Sequence, residues 1–214
     1  MPRRSKQLAV RDEFLILTNG KQTEKNYFEA IRANYKSIFK ISVKFMNDDP
    51  VALVNHAIAE KTPRNRVWCV FDKDEFLSAS IDQAMKTAKE NEIGVAFSNM
   101  AFEVWLIDHF KKCCLEKNAE KLVTDLDRIL KANEYPAGYS KEDKQMITEV
   151  LMPRLGDAVQ NADIVMQTWI RQYKESHNNE NFPFCDWNSF TNVHKLIDAL
   201  KLETKSEDSK IDTQ

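Results

Sequence analysis

The segment Asp72-Lys73-Asp74-Glu75 follows the apolar run Arg66-Val67-Trp68-Cys69-Val70-Phe71 without a break. Residues two apart in an extended chain point to the same side, so Asp72 and Asp74 can address one cation. Hard divalent ions favour carboxylate oxygens. Mg²⁺ usually takes one or two from the protein and fills its shell with water and phosphate oxygens. A second feature lies upstream, in Asn19-Gly20-Lys21-Gln22-Thr23-Glu24. Gly20 opens a loop into the start of a helix, where unpaired N–H groups favour anions, and Lys21 can meet a phosphate. Thr23 suits the cap of that helix, and Glu24 falls in its first turn. A third feature is Glu103, set among large apolar residues in Ala101-Phe102-Glu103-Val104-Trp105. Burying that carboxylate alone is costly, so it needs either solvent or a partner. His109 lies off the helix face of Glu103 and reads as a core or rim histidine held by one hydrogen bond.

These residues must be delivered by regular elements. Glu13 to Thr18 is a short apolar run ending at the turn dipeptide Asn19-Gly20, which predicts a buried strand. Tyr27, Phe28, Ile31 and Tyr35 then recur at helical spacing. Ile41, Val43 and Phe45 alternate, and Asp49-Pro50 opens a helix with Pro at its first position. Val67 to Phe71 and Ile93 to Phe97 predict two more strands. A helix carrying Ile81, Ala84, Met85 and Ala88 lies between them, and an apolar helix over Ala101 to Phe110 follows. Such alternation predicts an α/β fold with a mostly parallel four-stranded sheet flanked by helices. In such sheets, sites form beyond the carboxyl ends of the strands, which here means after Thr18, Phe71 and Phe97.

Beyond residue 112 the pattern becomes helical. Lys117 to Lys131, Lys141 to Leu151 and Asp157 to Tyr173 carry helical periodicity, with Gly138 and Pro153 as separators. Phe182 to Trp187 is an aromatic loop, read as core closure rather than as a stacking platform for bases. Asn188 is placed to cap a last helix ending at Leu200. The expected organisation is a core over 13–112, a helical extension over 113–202 and a disordered polar tail over 203–214.

Composition sets bounds. Hydrophobic residues make up 43% and charged residues 30%, with a formal net charge of −2, so any polyanion site must be a local patch. No apolar run reaches the about 18 residues that would predict a membrane span. Cys69, Cys113, Cys114 and Cys185 lack metal-site spacing and read as reduced thiols of a cytoplasmic protein.

Three blocks together resemble the RloB-like family. They are Ile16 to Phe28, Val67 to Glu75 and Ala96 to Phe110. Tyr139-Ser140-Lys141 and Asn188 to Leu196 resemble that family's Tyr-x-Lys and its closing helix start, so the likeness runs from about residue 13 to 202. The resemblance implies a Toprim-like core. It implies a Mg²⁺ (or Mn²⁺) site on Asp72, Asp74 and Glu24, with Asn19, Gly20 and Lys21 around it. Glu103 is then a further acid, and Lys141 a phosphate contact. It also implies a nuclease acting on RNA or DNA in anti-phage abortive infection, beside a partner AAA-type ATPase. Asn19 departs from the family, which usually has Glu before Gly20. An amide brings no charge and cannot act as a base. Either Glu24 or Glu103 then supplies the missing carboxylate, or the domain is a degenerate sensor or scaffold. A third reading is a nucleic-acid-binding adaptor without chemistry.

Overall fold

The computed structural model describes residues 12–73, 76–113, 118–177 and 182–204. Its α/β centre is built from β1 (Glu13–Thr18), α1 (Thr23–Asn34), β2 (Tyr35–Ser37), β3 (Lys40–Phe45), α2 (Pro50–Glu60), β4 (Asn65–Asp72), α3 (Ser78–Glu90) and β5 (Gly94–Asn99). The helical part follows with α4 (Glu103–Asp108), α5 (Ala119–Ala132), α6 (Leu155–Ser176), β6 (Phe190–Thr191), α7 (Val193–Ala199) and β7 (Leu202–Thr204).

The sheet order is β3-β1-β4-β5-β6. The four expected strands are all present and parallel to one another. The sheet has a fifth strand, because the two-residue β6 pairs antiparallel with β5. Two residues carry no readable periodicity, so this strand is set by its contacts. The Ser98 and Thr191 hydroxyls lie 2.9 Å apart, and Asn192 Oδ1 accepts from Phe97 N at 2.6 Å. Asn192, rather than Asn188, therefore precedes the last helix. The tail region also differs from expectation at its start. Leu202–Thr204 pairs with Tyr35–Ser37 in a separate two-stranded ribbon, while 205–214 lies outside the described residues.

Strand alternation divides the core into two layers. Phe14, Ile16, Val70 and Ala96 face α1, α4 and the helical extension. Leu15, Leu17, Cys69, Phe71 and Phe97 face α2, α3 and the aromatic loop. That loop closes core: Trp187 is buried, stacks on Trp169 at 5.7 Å and meets Phe190 edge-on at 5.4 Å. Lys141 to Leu151 is helical over one wide π-type turn, Met146–Leu151. The turn Met152–Arg154, with Pro153 at its start, leads from it into α6. Cys69 and Cys185 are buried free thiols, Cys113 is buried, and Cys114 lies outside the described residues. Among the described residues, no helix is long and apolar enough to cross a membrane.

Candidate functional site

Parallel pairing brings several strand ends to one edge. Thr18 sits opposite both Phe45 and Val70, and Asp72 sits opposite Ser98. A cleft of about 650 Å³ opens there, and its lining includes Asn19, Gly20, Lys21, Glu24, Asp72, Glu103 and Lys141. The structure therefore brings together every candidate site residue except Asp74, which lies outside the described residues.

The β1–α1 loop packs closely. Thr18 Oγ1 donates to the Gly20 carbonyl at 3.0 Å. A Cβ placed on Gly20 would come 1.8 Å from Glu24 Oε2. The Glu24 carboxylate thus lies over the loop where a side chain at position 20 would be. Helix α1 starts at Thr23 with no side-chain cap, and the positive end of a helix favours an anion. Thr23 does not cap, because its hydroxyl turns to the Tyr139 hydroxyl, 3.3 Å away.

Asp72 is half-buried at the end of β4, and its Oδ2 accepts from Phe102 N at 3.2 Å. The next side chain leaves in the other direction. Lys73 Nζ donates to the Cys185 carbonyl at 2.7 Å, and Asn99 Nδ2 donates to the same oxygen at 2.7 Å. The aromatic loop thus takes up the lysine between the two aspartates, and Asp72 keeps the cleft.

Glu103 is 3% exposed, yet it lines the cleft. Its burial is compensated, since Oε1 accepts from the Tyr139 hydroxyl at 2.6 Å and Lys141 Nζ lies 3.9 Å away. Burial first, and the Glu103 charge second, push the Tyr139 phenol upward, so it stays a donor. His109 takes no part in the cleft. It is buried between the Tyr27 hydroxyl and the Trp105 carbonyl, each 3.0 Å from a ring nitrogen. It makes two hydrogen bonds where one was expected.

Two residues of the site, one lining the cleft and one bonded to Glu103, escape a reading of strand ends limited to β1, β4 and β5. Asp48 lines the cleft from the β3–α2 loop and pairs with His56 Nδ1 at 2.7 Å. The carboxyl end of the parallel strand β3 was the signal for it. Tyr139 is the other, and the likeness of Tyr139-Ser140-Lys141 to the Tyr-x-Lys motif was its signal.

Among the described residues, no group of three His, Cys, Asp or Glu side chains is close enough to hold a metal. The donors in the cleft are still hard oxygens, as Mg²⁺ prefers, and that ion needs no more than two of them from protein. The carboxylates Glu24 and Asp72 are two such donors in the lining, and Asp74 is two residues from Asp72 in sequence.

No curated protein and no solved structure matches the chain. The RloB-like protein family matches it over residues 14–200, which span the sheet, the cleft and the helical extension. The chain therefore belongs to the RloB-like protein family.

Proposed function

We propose that the chain is a Mg²⁺-dependent nuclease, also served by Mn²⁺, that hydrolyses phosphodiester bonds of RNA or DNA. It acts in the cytoplasm as the effector of an anti-phage abortive-infection system, with an AAA-type ATPase as partner. The observation that carries the chemistry is the convergence of Glu24, Asp72 and Glu103 with Lys21 and Lys141 in one cleft at the carboxyl edge of the sheet. Family membership supports the biological setting.

Charge favours a cation-assisted reaction. The cleft carries Glu24, Asp48, Asp72, Glu103 and Glu120 against Lys21 and Lys141. A phosphate entering such a lining is repelled unless positive charge comes with it. Asp72, Asp74 and Glu24 would hold Mg²⁺, which would supply positive charge against the charge that builds during displacement. The side chains do the rest. Lys21, the start of α1 and Lys141 receive the phosphate. Glu103 takes a proton from the attacking water. The water oxygen bonds to phosphorus, the ester P–O bond breaks, and solvent protonates the leaving oxygen.

Incubating the purified protein on DNA and on tRNA, with and without the partner ATPase and Mg²⁺, tests this. Cleavage should require the metal and vanish in Asp72→Ala/Asp74→Ala. Undiminished cleavage by that variant would show the ligands to be wrong.

Asn19 favours a second reading, a Toprim-like domain that binds without cutting. An amide at the loop supplies no charge and no base. Under this reading the natural chain is inert, and Asn19→Glu gains Mg²⁺-dependent cleavage.

A further inference from the structure

The loop between α5 and the turn at Met146 reaches Glu103 with a side chain that the proposed chemistry leaves unused. Tyr139 donates its hydroxyl to Glu103 Oε1 at 2.6 Å, across 36 positions of sequence. The loop behind it is pinned. Tyr139 N donates to Asp127 Oδ1 at 3.1 Å, and Asp127 Oδ2 accepts from Lys131 Nζ at 2.8 Å. Gly138 has a φ of 72°, and a Cβ there would lie 2.0 Å from Asp127 Oδ1. Only glycine meets both demands, the left-handed backbone and the close approach. Helix α5 thus grips the loop through Asp127, and the loop presents Tyr139 to Glu103.

We infer that Tyr139 is the positioning residue of Glu103, engaging Oε1 so that Oε2 is the oxygen left to meet the substrate water. This rests on the nuclease reading. The physical argument is orientation. Glutamate has three rotatable bonds, and a short hydrogen bond to a carboxylate is among the stronger restraints a neutral side chain offers. A catalytic group displaced by 1 Å loses about 10²-fold in rate. The inference also gives the helical extension a role, because it supplies the restraint on an acid carried by the α/β core.

Tyr139→Phe removes the hydroxyl and keeps the ring. We expect kcat to fall about 10- to 100-fold with KM within about twofold, as for a group that acts mainly in the transition state. Glu103→Gln should lose at least as much, and the double variant should lose no more than Glu103→Gln alone. Gly138→Ala, which keeps both side chains and shifts the loop, should lower kcat in the same way. A Tyr139→Phe protein with unchanged kcat, or losses that multiply in the double variant, would overturn the inference. A second cycle separates this outcome from failure of the nuclease reading. Urea midpoints of Tyr139→Phe, Glu103→Ala and their double variant need no activity. Their shifts should be strongly non-additive. Additive midpoints overturn the positioning role whether or not the protein cleaves, whereas absent wild-type cleavage with non-additive midpoints counts against the nuclease reading alone.

Discussion

Asp72 and Phe102 are joined across the floor of the cleft. The Phe102 backbone N–H donates to Asp72 Oδ2 at 3.2 Å, which ties the end of β4 to the start of α4. Position 72 therefore serves both structure and charge. Asp72→Asn keeps an oxygen that can accept this bond and removes the negative charge. We expect a variant within about 0.5 kcal/mol of the parent in stability, since the bond from Phe102 N is kept. Divalent-ion affinity and cleavage should fall by more than about 100-fold, beyond the range for groups that only support a ligand. Urea unfolding, calorimetric Mn²⁺ titration and the cleavage assay check these outcomes.

Gly20→Ala tests the packing of the first loop. The new methyl group would occupy the place of the Glu24 carboxylate, whose atoms lie 1.8 to 2.2 Å from it. That carboxylate ends a flexible side chain and can move aside, so the stability change should stay under about 1 kcal/mol. Metal affinity should drop as Glu24 is displaced. Titration with Mn²⁺ checks this, and affinity equal to the parent would remove Glu24 from the ligand set.

Gly94→Ala should act on the fold alone. Gly94 opens β5 directly opposite Trp68 on β4, and an added Cβ would come 2.2 Å from the indole. Trp68 stacks on Phe14 at 6.3 Å, a contact it must disturb to move aside. Overpacking of this kind costs about 1–3 kcal/mol. The urea midpoint should fall by that amount, while the cleft residues keep their geometry.

Acid should destabilise the protein through His109. Burial pushes this imidazole from 6.5 down to about 4, and the nearby Arg154 charge adds to the effect. The unfolded chain takes up a proton below pH 6.5, while the folded chain resists until about pH 4. The contribution is therefore complete above pH 6.5 and is lost as pH falls through that window, by about 3 kcal/mol. Buried His194, also lowered to about 4, adds in the same direction. Asp108 opposes them, because burial raises its carboxyl and favours the protonated folded form. The difference between the protein and His109→Gln isolates the histidine. Stability of the variant should depend less steeply on pH between 6.5 and 4.

Much of the architecture is local in origin and could be read directly from the chain. Apolar runs of five or six residues alternating with helical spacing determined the four parallel strands and their helices. The rule for strand ends then placed Asn19, Gly20, Asp72 and Glu103 at one edge. Those features depend on near neighbours in sequence, so a linear pattern carries them. Where the pattern is too short, it fails. Phe190–Thr191 has two residues, and Leu202–Thr204 has three. Their pairing depends on partners from distant segments, Ser98–Asn99 and Tyr35–Ser37.

The site divides in the same way. The sequence by itself determined which acids exist and which strands deliver them. The tertiary structure decided their company. Glu103 finds Tyr139 from the helical extension, Lys73 turns to the Cys185 carbonyl, and Asp48 joins from the loop after β3. A buried carboxylate must be compensated, but its partner can come from any segment that packing brings within hydrogen-bond reach. That choice depends on how the helices settle on the sheet, and no residue spacing encodes it.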